Sequence, residues 1–192
     1  AMTISKTYIS ADQLLARSFE LGLQVLDSGF RPDIIVGIWR GGAPVAIAIH
    51  ELFDLAGLRA DHFPIRTALY TGIGSTAQTV RVDGLEYLAD RLRAETRLLL
   101  VDDVFDSGRS LETVVARLQA DCAASESQWR IATPYYKPAN NRTGLVPDYY
   151  LVECDEWLVF PHELAGLSDT ELRTGKPGLG ALRERIAELR SD

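Results

Sequence analysis

The order of residues 98 to 118 constrains the fold more than any other part of the chain. An unbroken apolar run, LLLV (98–101), meets Asp102-Asp103, then VF, then DSGRS (106–110), and then Leu111, Val114, Val115 and Leu118 at helical spacing. A short apolar run bounded by turn-forming residues is the pattern of a strand buried on both faces, found mainly in parallel sheets covered by helices. PDIIVGIW (32–39) has the same character, and the glycines of RGG turn it into a helix over about 43–57. Further strands are predicted over 62–70, 97–103, 129–136 and 148–154. Helices are predicted over 10–27, capped by Ser10, and over 85–93, 108–120 and 180–190. TGIGSTAQTVRVDG (71–84) has no periodicity and is predicted to be a long loop. Strands alternating with helices give an α/β fold, a parallel β-sheet flanked by helices.

Composition narrows the function. The 192 residues, 46% hydrophobic, suffice for a proper core. A net charge of -7 and the lack of a dense Lys and Arg stretch argue against nucleic acid as a partner. Cys122 and Cys154 lie apart with no CxxC spacing, so neither a disulfide framework nor a zinc site is expected, and a cytoplasmic location fits. No apolar run approaches the length of a membrane span, so no membrane partner is expected. The three histidines, His50, His62 and His162, have no metal-site spacing and are taken as structural or surface residues.

In an open α/β sheet, ligands bind beyond the carboxyl ends of the strands, where Asp102 and Asp103 are expected. Two carboxylates about 4 Å apart repel by roughly 4 kcal/mol at an effective dielectric of about 20, so a cation or ligand hydroxyls must compensate them. The residues that follow form the first turn of a helix, where free N–H groups and the helix dipole favour a phosphate. Gly108 allows close approach, Ser107 and Ser110 add hydroxyls, and Arg109 adds charge. Acids for a sugar followed by a cradle for a phosphate imply a sugar phosphate. The bland alternative, a helix-capping Asp106 after a solvated strand end, explains less of the string.

VDDVFDSGRS resembles the phosphoribosyl pyrophosphate (PRPP) signature of type I phosphoribosyltransferases. GIWRGGAP (37–44) resembles that family's pyrophosphate loop, TPYYKP (133–138) its lysine-bearing strand, and DEWLVFP (155–161) its base-stacking segment. The match spans roughly 33–163 in the family's order and is nearest to the hypoxanthine and xanthine-guanine enzymes. The resemblance implies one phosphoribosyltransferase domain over 1–192, with a core of about 30–150 and a small C-terminal hood of about 150–192 helped by the N-terminal helix.

It further implies a magnesium-dependent purine-salvage enzyme that joins PRPP to hypoxanthine, guanine or xanthine and releases pyrophosphate. By the same resemblance, Asp102 and Asp103 hold the ribose hydroxyls, directly or through Mg2+. Asp106 acts at N7 of the purine as general base or electrostatic partner. Asp106, Ser107, Gly108, Arg109 and Ser110 grip the 5′-phosphate; Arg40, Gly41 and Gly42 meet the pyrophosphate. Lys137 reaches the purine's O6, Trp157 stacks on the base, and the backbone at Leu158 bonds its edge. A homodimer or homotetramer is expected. The family's mobile loop carries a Ser-Tyr pair, to which Tyr70-Thr71, with Ser75 beyond, is the nearest match. The alternative is a PRPP- or nucleotide-sensing regulator on the same fold, disfavoured by the charge and by the retained Asp106.

Overall fold

The computed structural model describes residues 5–71, 78–122 and 129–189. The chain divides into two units, Leu15–Asp155 and a second that joins Ala1–Leu14 to Glu156–Asp192. In the larger unit, seven strands form one sheet among the described residues. Its spatial order is β4 (Gln78–Asp83), β3 (Asp61–Thr71), β2 (Ile34–Trp39), β5 (Leu98–Val101) in line with β6 (Val104–Phe105), β7 (Trp129–Tyr136), and β8 (Tyr149–Glu153). Neighbours run parallel except β3 and β4, which pair antiparallel.

The apolar runs explain the middle of this sheet. Leu98, Leu99, Leu100 and Val101 are all fully buried, and so are Val36 and Ile35 on β2. Each such side chain contributes roughly 1.5–3 kcal/mol by leaving water. Helices supply the cover: α1 (Ala11–Asp27), α2 (Gly42–Leu55), α3 (Leu85–Ala89) and α4 (Arg109–Cys122). Leu111, Val114, Val115 and Leu118 of α4 join the core with Leu98, Leu100 and Phe105. At the start of α1, Ser10 accepts from the Gln13 N–H at 3.1 Å while the Gln13 side chain accepts from the Ser10 N–H at 2.9 Å, a reciprocal cap.

Three sequence expectations change. The strand expected over 97–103 ends at Val101: the Asp102 N–H makes the last ladder bond, to the Ala132 carbonyl (3.2 Å), and the Asp103 N–H then leaves the ladder for the Asp102 side chain. Pairing with β7 stops at Val101↔Ala132 and resumes at Val104↔Tyr135, three residues on in both strands. The acid pair therefore interrupts a strand line without shifting its register. The loop expected over 71–84 contains strand β4, which forms an antiparallel edge against β3. The helix expected over 85–93 stops at Ala89.

The smaller unit is built on β1 (Lys6–Tyr8) paired in parallel with β9 (Trp157–Val159). After these strands come α5 (Asp169–Gly175), a 3-10 segment (Pro177–Leu182) and α6 (Arg183–Leu189). α5 opens on a capping box, with Ser168 and Glu171 satisfying each other's backbone N–H groups. α6 takes the place of the helix expected over 180–190.

Candidate functional site

Two strand ends meet in the larger unit. The turn from β2 into α2, Arg40-Gly41-Gly42, lies directly on the acid pair that follows β5. A Cβ built on Gly41 would lie 2.5 Å from Asp103 Cγ, and one on Gly42 would lie 2.8 Å from Asp102 Cα. Neither glycine has room for a side chain, so residues 41–42 and 102–103 form one surface. The Trp39–Arg40 peptide is cis. Arg40 itself is exposed, leaving its guanidinium in reach of an anion.

The acid pair carries unusual electrostatics. Asp103 is buried, and Asp102 Oδ1 accepts from the Asp103 N–H at 2.9 Å. Burial pushes the Asp102 carboxyl well above the ordinary carboxylate range, and the neighbouring Asp103 charge pushes it further. No group of three or more His, Cys, Asp or Glu side chains that could hold a metal by itself occurs among the described residues. Mg2+ does not need such a cage: it keeps several waters and binds through one or two carboxylates plus substrate phosphates. Asp102 and Asp103 fit a cation of that kind, because a positive charge beside them would offset both the burial and the mutual repulsion that hold Asp102 up.

On the far side of β6 comes the loop 106–110. Gly108 adopts φ +76°, a left-handed backbone, and a Cβ there would lie 2.7 Å from both the Phe105 ring and Thr143 Oγ1. The first i→i−4 bond of α4 runs from the Glu112 N–H to Gly108 O at 2.9 Å. The N–H groups ahead of it, at Ser110 and Leu111, have no carbonyl within the helix, which is the geometry of an anion cradle. Ser107 and Ser110 are half-buried, and Arg109 is exposed.

The segment after β7 braces this loop. The Lys137 N–H donates to Phe105 O at 2.9 Å, and the Arg142 N–H donates to Ser107 O at 3.0 Å. Lys137 is a buried lysine whose Nζ stands 3.5 Å from Asp106 Oδ2. Asp106 Oδ1 accepts from Asn140 Nδ2 at 2.8 Å. Both carboxylate oxygens of Asp106 thus face named partners.

The sequence marks Lys137 and Asp106 separately and does not mark Asn140. Its only local signal is the short KPAN string, in which Pro138 opens a 3-10 turn that ends on Asn140.

The remaining predicted residues belong to the smaller unit. Trp157 is 55% exposed, while Leu158 is buried. The Trp157 N–H donates to Ser5 O (3.3 Å), and Val159 O accepts from the Ile9 N–H (2.9 Å). In a parallel ladder alternate residues face the partner strand, so the Leu158 N–H and C=O point away from β1. Just beyond, Phe160 is fixed twice, its N–H donating to Glu163 at 2.9 Å and its carbonyl accepting from the buried Lys176. Ser75 and the side chains of Tyr70 and Thr71 lie outside the described residues.

Comparison with known proteins follows the same outline. The family model described as a phosphoribosyl transferase domain matches residues 10–168. No curated protein sequence gives a significant match. Among solved structures, a purine phosphoribosyltransferase from Pyrococcus horikoshii is similar at 25% identity and a TM-score of 0.67, over 85% of this chain and 98% of that one. A hypothetical protein from Neisseria gonorrhoeae with bound ppGpp is similar at 18% identity and 0.71, over 93% and 99%. The xanthine-guanine-hypoxanthine phosphoribosyltransferase of Helicobacter pylori is similar at 23% identity and 0.60, over 82% and 92%.

Proposed function

The chain belongs to the phosphoribosyl transferase family, and we propose that it transfers the phosphoribosyl group of PRPP to a 6-oxopurine, hypoxanthine, guanine or xanthine. The products are the nucleoside 5′-monophosphate and pyrophosphate. The observation that carries this reading is the buried Lys137 ammonium 3.5 Å from the Asp106 carboxylate. A 6-oxopurine presents an acceptor, O6, beside a donor, N7–H. A lysine beside an aspartate is complementary to that edge, whereas the 6-amino group of adenine would turn a donor toward the ammonium.

The other roles follow from the chemistry of each group. Asp102 and Asp103 hold the ribose hydroxyls, and their charge favours the positive character that develops at the anomeric carbon. Ser107, Gly108, Arg109 and Ser110 receive the 5′-phosphate at the start of α4 together with the Asp106 backbone. Arg40, Gly41 and Gly42 receive the pyrophosphate. Bound Mg2+, held at Asp102 and Asp103 directly or through water, would neutralise charge on the leaving pyrophosphate. Asp106 accepts the N7 proton as that proton leaves the base. Trp157 offers its exposed indole to the purine, and the outward N–H and C=O of Leu158 offer hydrogen bonds to the base edge. The fuller reading is a cytoplasmic purine-salvage enzyme acting as a homodimer or homotetramer.

A second reading, nucleotide sensing without transfer, draws on the likeness to the Neisseria gonorrhoeae protein whose structure holds ppGpp. One experiment separates the two. Purified protein is incubated with PRPP, magnesium and, in turn, hypoxanthine, guanine, xanthine, adenine and orotate, with chromatography of the products and Asp106→Asn as control. Nucleotide from an oxopurine, largely lost in the control, supports transfer. Tight PRPP or ppGpp binding without nucleotide from any base would move the reading to a sensor.

A further inference from the structure

We propose that Asn140 is the positioning residue that fixes the Asp106 carboxylate against N7 of the purine, where it takes the N7 proton as the base attacks the anomeric carbon, an inference that rests on the transferase reading. Asp106 follows a two-residue strand of which Phe105 is buried, and its side chain is 47% exposed. A half-exposed aspartate on a loop would ordinarily sample several rotamers. Here Asn140 Nδ2 donates to Oδ1 at 2.8 Å, while Lys137 Nζ stands 3.5 Å from Oδ2. The short bond comes from the uncharged donor, so the amide sets the plane of the carboxylate and leaves the longer contact with the ammonium adjustable. Oδ2 and the ammonium then present themselves together, in the spacing that an O6 and N7–H edge requires.

Asn140 is itself held from two directions. Its N–H donates to Lys137 O at 3.1 Å, closing the 3-10 turn that Pro138 opens, and the Arg142 N–H two residues on ties the same turn to Ser107 O. The amide therefore reaches Asp106 from a braced turn and reports the position of Lys137 to it. No other side-chain donor to Asp106 Oδ1 occurs among the described residues. Holding a reacting group in a single orientation is the contribution such a residue can make.

The test is a double-mutant cycle. Asn140→Leu keeps the approximate volume and removes the donor; Asp106→Ala removes the acceptor. The cycle is run on transfer kinetics and on calorimetric binding of guanosine monophosphate. Asn140→Leu is expected to lower kcat for the oxopurine about tenfold while leaving PRPP affinity within about twofold, and to have no further effect once Asp106 is alanine. Where Asp106→Ala turns over too slowly to follow, the binding cycle gives the coupling. An equal loss in both backgrounds, or no loss in either, overturns the proposal and leaves Asn140 as a turn residue. A wild-type protein that binds the nucleotide without turnover overturns the transferase reading alone, and coupling or additivity in the binding cycle then decides Asn140. Neither turnover nor binding overturns both.

Discussion

Gly42 and Asp102 come from different strand ends and touch through backbone: a Cβ on Gly42 would stand 2.8 Å from Asp102 Cα. Backbone cannot swing aside as a long side chain can. Gly42→Ala is therefore expected to push the turn at 40–42 off the acid pair, lowering stability by about 1–3 kcal/mol and weakening PRPP by more than about tenfold. Gly144, whose Cβ would meet nothing within 4 Å, is the control, and Gly144→Ala should leave both unchanged. Thermal unfolding and PRPP calorimetry on the two variants check it, and equal behaviour would remove the steric argument.

Asp102 gives a prediction of opposite sign for stability and function. Its folded-state pKa is raised, first by burial and then by Asp103, well above the ordinary carboxylate value of 3.8. The group thus binds its proton more tightly folded than unfolded. Its contribution to stability is complete below about 3.8 and is lost as pH rises through the raised folded value. At neutral pH Asp102 therefore costs stability, a cost that the proposed role in ligand binding would explain. Asp102→Asn should raise the melting temperature at pH 7–8, with a smaller gain near pH 4, and should abolish tight magnesium-dependent PRPP binding. Melting curves across that range, beside binding isotherms, measure both halves; a variant that melts lower at every pH would contradict the first.

Lys137 separates binding from discrimination. Asp106 is half-exposed and stays solvated when its partner goes, so Lys137→Met should fold with stability close to that of the parent. The loss should fall on the base. Transfer to oxopurines is expected to drop about 10²–10³-fold in kcat/KM, with PRPP affinity retained, because only the donor proposed for O6 has been removed. Competition assays with hypoxanthine and adenine give the ratio. An unchanged ratio would remove Lys137 from purine selection.

How much of this could be read beforehand depends on whether the signal was local. β7 was expected over 129–136 and spans Trp129–Tyr136, because six of its eight residues are apolar and all but Arg130 are buried. α4 shifts by a residue or two, since its leucines and valines already mark the buried face. The glycine-rich stretch before β4 masks it in the sequence, although Val80 and Val82 alternate with Thr79 and Arg81 as an edge strand should. The pairing of β1 with β9 left no trace at all. Each strand is three residues long, and their partnership spans most of the chain, so periodicity has too few turns to register. Within the site, glycines and acids announced themselves by spacing, and Lys137 by its place at a strand end. Asn140 was invisible, since its meaning lies in a bond across 34 residues to Asp106.

The last prediction concerns the smaller unit, where Lys6 and Glu171 join β1 to α5. Lys6 Nζ lies 2.5 Å from Glu171 Oε1, and Glu171 Oε2 accepts from the Ser168 N–H at 2.8 Å. These contacts, the Lys6 bond foremost, lower the Glu171 pKa from 4.5 to about 2. A carboxyl that is more acidic folded than unfolded adds stability above its unfolded value and loses it as pH falls through the folded one. Acidification from about 4.5 to about 2 should thus loosen this unit by protonating Glu171. Glu171→Gln keeps an acceptor for Ser168 but has no charge to lose, so its pH dependence in that window should be flatter, and Lys6→Met should behave likewise. Hydrogen exchange read peptide by peptide over 156–189 follows the unit by itself. A parent protein and a Glu171→Gln variant that deprotect in parallel as the pH falls would show that the acid sensitivity lies elsewhere.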